Sequence, residues 1–224
     1  MTTPRLSVGV IGDDPRGVAL AQALRAAGHS VVARSVPPED RADHVDALLP
    51  EVPVHDISET TERSDVVVLA TSDTALETVV DAITDVGRMT PGQIICRFEP
   101  LDAGRMRALE AKGVVSCRLV PMLTLTGSSL DVSAMRRAFC AVVSAATVWP
   151  VGQTLVAESG MTPFFVSEEA EHALDEAVTQ LSTTMEAFSG QLRQVASVVG
   201  PEASDALASW LSDEFSTPSG LSNV

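Results

Sequence analysis

The sequence has 224 residues, with 15 Lys and Arg against 30 Asp and Glu, a formal net charge of −15. That field repels phosphate backbones and anionic lipid, which excludes non-specific nucleic-acid binding and attachment to an anionic membrane surface. There is no Tyr and a single Lys, Lys112, so a Tyr-x-x-x-Lys dehydrogenase site is impossible.

The length predicts one or two domains with an ample core. No apolar run approaches the ~18 residues of a membrane span. Met1–Arg5 leads into the first apolar run without a signal-peptide core, so the expected location is the cytoplasm. Cys96, Cys117 and Cys140 are isolated and sit in apolar settings, as buried thiols do. The carboxylates have no His or Cys beside them at ligand spacing, so no metal site is expected.

In chain order, Leu6–Ile11 reads as a buried strand and Arg16–Ala27 as a helix stopped by Gly28. His29–Arg34 is a second strand, and Val36–Arg41 is a turn. Asp65–Ala70 is the clearest buried strand. A helix over Thr74–Val86 follows, with Leu76, Val79, Val80 and Ile83 on one face. Pro91-Gly92 turns into a strand over Gln93–Arg97. Ala103–Ala111 is helical up to Gly113, and Val114–Leu119 is the next strand. Ala138–Val143 is predicted as a strand, Thr147–Ser159 as a helix and Thr162–Val166 as a last strand. Strands alternating with helices of this length give βαβ units and a doubly wound α/β fold with a mostly parallel Rossmann-like sheet.

From Ser167 onward the period changes. Leu174, Val178, Leu181, Met185, Phe188, Leu192, Val195 and Val199 form an a/d seam over about four heptads. Ser167 is a candidate cap, and Glu168 and Glu169 suit the positive end of a helix. The seam predicts a homodimer through the Leu174–Val199 helix, with packing back on the sheet domain as the alternative. A second helix reaches about Phe215, with Ala206, Leu207, Trp210 and Leu211 on one face. The expected domains are a sheet domain over 1–167, a small helical C-terminal segment over 168–216 and a frayed tail over 217–224.

The first strand and helix are joined by Gly12-Asp13-Asp14-Pro15-Arg16-Gly17. This is the place of a dinucleotide turn, where the first Gly bends the chain, the second admits the pyrophosphate and the third lets helix and strand pack. Gly12 and Gly17 hold the first and third places, and Asp14 holds the second. Candidate cofactor residues are Gly12, Arg16, Gly17, Arg34, Thr71 and Ser72. An Arg at Arg34, ending the second strand, suits the 2′-phosphate of NADP better than the ribose of NAD. Ser72 or Asp73 also serves as a helix cap.

Three segments carry a resemblance: Leu6–Gly12, Leu69–Leu76 and Pro121–Asp131, the last with its Thr-x-Thr-Gly-x-Ser-x-Asp pattern. Together they resemble Rossmann-like proteins with a DUF2520 C-terminal domain, of the 6-phosphogluconate dehydrogenase-like group, over about residues 5–200. The resemblance implies an NADP-binding sheet domain, a helical C-terminal domain that often dimerises, and an oxidoreductase acting on a small carbonyl or hydroxy acid. The chain departs from that pattern at Asp14, at Arg97-Phe98-Glu99-Pro100 and at Val120. The alternative is a non-catalytic Rossmann-like binding or regulatory module that has lost dinucleotide binding.

Substrate-side candidates are Arg97 and Glu99 after a strand, and the hydroxyls of Thr124, Thr126 and Ser128. Arg97 and Glu99 read either as a mutual ion pair or as an anion holder beside an acid–base group. No residue is assigned as catalytic. His29, His44, His55 and His172 all lie away from predicted strand C-termini, where ligands bind in open α/β sheets.

Overall fold

A computed structural model describes residues 5–86 and 88–199, together with 206 and 209. The predicted second helix to Phe215 and the tail over 217–224 therefore fall outside, or almost outside, the described residues. The chain divides into two compact units, Met1–Glu171 and His172–Val224.

In the first unit β1 (Ser7–Gly12), α1 (Pro15–Ala27) and β2 (Ser30–Ser35) come first. They are followed by α2 (Ala42–Leu48), β3 (Val54–His55), α3 (Ile57–Glu62), β4 (Val66–Ala70) and α4 (Asp73–Asp85). Next are β5 (Ile94–Arg97), α5 (Ala103–Ala111), β6 (Val115–Pro121) and α6 (Asp131–Met135), then β7 (Phe139–Val143), α7 (Trp149–Glu158) and β8 (Thr162–Val166). The strands form an eight-stranded sheet in the order β3-β2-β1-β4-β5-β6-β7-β8. All pairings are parallel except β6 with β7. The fold is α/β, a Rossmann-like doubly wound sheet, and its order reverses between β1 and β4.

Each of the five residues of β4 is fully buried. A strand covered on both faces has no polar side, which is why this run is continuously apolar. One face carries the cluster of Val8, Leu20, Leu24, Val68, Leu119 and Leu155, under α1, α6 and α7. The other carries Ile11, Val67, Leu69, Leu76, Val80, Ile83 and Leu109, under α4 and α5. The predicted face of α4 is the one that packs.

Helix α1 begins where Asp14 accepts a hydrogen bond from the Arg16 N–H, with Pro15 next to it in the first turn, and ends at Gly28 with φ +100°. It approaches β4 closely: a Cβ on Gly17 would lie 2.3 Å from the Ala70 Cβ. Gly152 does the same for α7, 2.4 Å from Val142 Cγ1. That close approach explains a glycine inside a helix.

The turn predicted over 36–41 ends in a 3-10 turn at Glu39–Arg41, and α2, β3, α3 and α6 appear where no element is predicted. These pieces are short, and α2 buries Val45 alone. Ser167 makes no side-chain cap bond; it precedes a 3-10 turn, Glu168–Ala170, before α8 (Glu171–Val199) begins. In the second unit α8 carries the a/d seam. Leu181 and Met185 are 61% and 54% exposed, and Leu174, Val178, Phe188 and Leu192 are half-buried. No described helix is long and apolar enough to cross a membrane.

Candidate functional site

A cleft of about 1070 Å³ opens over the C-terminal ends of β1, β2, β3 and β4. This is the topological switch point, where ligands of open α/β sheets bind. Gly12, Asp13, Asp14 and Pro15 line it from the glycine turn, and Ser35, Val36, Asp40 and Arg41 from the segment after β2. His55 to Ser58, Thr71, Ser72 and the α4 residues Ala75, Val79 and Ala82 complete the wall. The volume lies just above the ~300–1,000 Å³ typical of small-molecule sites.

Gly12 ends β1 at φ +102°, and a Cβ there would lie 2.0 Å from the Ala70 carbonyl oxygen. Only glycine takes this turn without displacing β4. Its N–H donates to Ser35 Oγ at 2.9 Å. Thr71, 7% exposed, has a hydroxyl with no hydrogen-bond partner among the described residues. Ser72 sits at the cap position of α4 without a side-chain cap bond, its hydroxyl 3.2 Å from Thr74 Oγ1. Among the described residues lining the cleft, Arg41 is the single Arg or Lys. Its Nε lies 3.2 Å from Asp13 Oδ2 but makes no hydrogen bond.

Arg34 is elsewhere. It is buried, its Nη2 pairs with Asp46 of α2, and it does not line the cleft. Successive strand residues point to opposite faces, so the residue presented to the glycine turn is Ser35.

Arg16 lies at the edge of the cleft, not in its wall. Its Nε and Nη2 bind Asp14 at 2.9 and 3.0 Å, and Nη2 also binds Glu99 Oε1 at 2.5 Å. The guanidinium is 5.4 Å from the centroid of the buried Phe98 ring. Burial alone would lower its pKa, but the hydrogen bonds it donates to Asp14 and Glu99 outweigh that and raise it.

Glu99 thus answers Arg16, and the side-chain pair expected between Arg97 and Glu99 does not form. Arg97 donates to the Glu99 backbone carbonyl at 2.5 Å and meets Glu171 Oε1 at 3.3 Å. Arg118, beside Arg97 in the sheet register, meets the same Glu171 oxygen at 3.1 Å. Burial pushes the Arg97 guanidinium down, and the Glu171 charge offsets part of that.

Thr126 and Ser128 belong to a loop organised by Asp131. Its Oδ2 accepts the N–H groups of Thr126, Gly127 and Ser128 at 3.0, 2.8 and 3.1 Å, and Oδ1 receives both hydroxyls. The Thr-x-Thr-Gly-x-Ser-x-Asp pattern is therefore a loop closed on its own carboxylate. Thr124 is exposed. None of these three lines the cleft.

The sequence offers no signal for Arg41, which lies in a stretch read as a turn. Ser35 could have been found from the pleat, one residue past the predicted end of β2. The three cysteines are fully buried, with Cys96 and Cys117 sulfurs 3.8 Å apart. Burial pushes the Cys140 thiol up to about 12.

The sequence profile of the Rossmann-like domain family matches residues 1–117. Comparison with curated proteins gives no match. Among solved structures, the fold is similar to an imine reductase from Myxococcus stipitatus in complex with NADP+, at 16% identity and TM-score 0.70, covering 94% of this chain and 73% of that one. It is similar to 1-pyrroline-5-carboxylate reductase from Streptococcus pyogenes, at 14% identity and TM-score 0.70, covering 98% and 82%. A reductive aminase from Aspergillus terreus in complex with NADPH and ethyl levulinate gives 16% identity and TM-score 0.68, covering 95% and 74%. At these identities the likeness is one of fold.

Proposed function

Because the chain belongs to the Rossmann-like domain family, we propose that it binds NADP(H) and is a reductase-type oxidoreductase acting on a small carbonyl or hydroxy acid. The observation that carries this reading is the open cleft at the switch point with an unanswered hydroxyl, Thr71, in its wall. A buried hydroxyl without a partner calls for a polar ligand. Ile57, Val79, Ala82 and Val86 offer an apolar wall for the adenine. Ser35 and Thr71 offer hydroxyls to the ribose and its phosphates, and Arg41 offers the cation for a 2′-phosphate. The bound nicotinamide would supply or accept a hydride. The setting is cytoplasmic.

The likeness of Pro121–Asp131 to DUF2520 proteins adds a C-terminal domain that dimerises. On this reading α8 pairs with a second copy along Leu174–Val199. The exposed Leu181 and Met185 support it. Sedimentation at tens of micromolar tests it: a dimer is expected, and a monomer overturns it. Leu181→Asp with Met185→Asp is expected to split the dimer.

Titration calorimetry tests the cofactor. NADPH is expected to bind at micromolar concentration, and Arg41→Ala to weaken it about 10-fold while NADH is unaffected, the size of one lost charge-assisted contact. No heat at millimolar NADPH overturns the reading. A specific observation favours a second one, a non-catalytic binding module: Asp14 places a carboxylate where the pyrophosphate would approach α1.

A further inference from the structure

The cleft has a sharp limit. Its wall is built from residues of the glycine turn, the 35–41 segment, the end of β3, α3, the loop after β4 and α4. Nothing from β5, β6 or the loops that follow them contributes to it. Where the wall stops, Asp14, Arg16 and Glu99 form a bridge from the start of α1 to the loop after β5. All three are half-buried, with side-chain exposures of 16%, 30% and 21%.

This bridge crosses the path that a dinucleotide would take, because a diphosphate passes over the start of the first helix on its way to the second half of the sheet. Two carboxylates share one guanidinium there, so an incoming diphosphate meets a surplus negative charge. It gains Arg16 only if a carboxylate lets go. The two are not held equally. Asp14 is fixed by the Arg16 N–H, Nε and Nη2 together. Glu99 is held by Nη2 alone. Glu99 is the one that can yield.

We infer that Glu99 is a specificity-determining residue: while it holds Arg16 the site takes a 2′-phosphorylated adenosine nucleotide, and the nicotinamide half of a dinucleotide adds little to binding. The inference rests on the nucleotide reading above. It separates two things that reading joins, occupancy of the adenosine half and occupancy of the whole dinucleotide path.

The test compares adenosine 2′,5′-bisphosphate with NADPH by calorimetry, in the wild-type protein and in Glu99→Gln. In the wild type the two ligands are expected to bind within about 3-fold of each other. In Glu99→Gln, NADPH is expected to tighten about 10-fold, the scale of one relieved charge contact, with the bisphosphate unchanged. Wild-type NADPH binding more than about 10-fold tighter than the bisphosphate overturns this inference and leaves the nucleotide reading standing. So does a folded Glu99→Gln variant with unchanged NADPH affinity. Binding of neither ligand overturns the nucleotide reading, and this inference with it. The wild-type comparison decides alone if the variant does not fold.

Discussion

The Asp14 carboxylate both caps the helix that carries Arg16 and binds the Arg16 guanidinium, through one backbone and two side-chain hydrogen bonds of 2.9–3.0 Å. The positive end of α1 therefore faces an anion that belongs to the chain itself. Asp14→Gly removes that anion and restores the spacing of a dinucleotide turn. NADPH affinity is expected to rise about 10-fold, while the helix loses a few tenths to ~1 kcal/mol, because Gly is a tolerable cap. Calorimetry and thermal unfolding of the same variant check both.

Two glycine-to-alanine changes should move in opposite directions. At Gly17 a Cβ would lie 2.3 Å from Ala70 Cβ and 2.7 Å from its Cα, so α1 must shift off β4, at a cost of about 2 kcal/mol. At Gly190, inside α8, a Cβ meets nothing within 4 Å, and the change should stabilise by about 0.5–1 kcal/mol. Urea unfolding of the two variants checks the contrast.

Asp65 ties the start of β4 to β1, accepting from Ser7 Oγ at 2.7 Å and Ser7 N at 2.8 Å. The Ser7 hydroxyl, then its N–H, hold the carboxyl below its ordinary value. A carboxyl whose folded pKa is depressed contributes above the unfolded value of ~3.9 and loses that contribution as pH falls through the folded one. Unfolding free energy should therefore fall below about pH 4, and less so in Asp65→Asn, with a difference of under about 1 kcal/mol for this exposed group. Urea titrations from pH 3 to 7 measure it.

Glu171 is the shared counter-ion of two buried arginines, Arg97 at 2% and Arg118 at 5% exposure. Glu171→Gln should cost about 3 kcal/mol, because it leaves the buried Arg97 guanidinium without its acidic partner. Adding Arg97→Met should recover part of the loss, since an apolar side chain carries no charge to desolvate. A double-mutant cycle in urea gives the coupling.

The doubly wound sheet was legible because its central strands are apolar on both faces and its helices repeat at 3.6 residues, as in Val66–Ala70 and α4. The 42–62 region was not, since α2 and α3 are only two turns or so, too short for a repeating apolar stripe to show. At the site, Gly12, Thr71 and Ser72 could be read from the strand–turn–helix order alone. Arg34 and Ser35 illustrate what the order misses: a one-residue change of pleat decides which of them meets the glycine turn. Thr126 and Ser128 were visible as hydroxyls, but their engagement by Asp131 is a matter of loop closure. The meeting of Arg97 with Glu171 spans 74 residues. No local pattern carries such a contact.

The reversal of direction between β6 and β7 has a consequence for how the sheet opens. The register aligns Arg97, Arg118, Val143 and Val166 across four neighbouring strands. The chain thus returns along β8 to the row of the two arginines and delivers Glu171 to them. Peeling β7 and β8 away would pull Glu171 from Arg97 and Arg118. Amide protons of the last two strands should therefore exchange with solvent in step with those of β5 and β6, as one cooperative block rather than as a fraying edge.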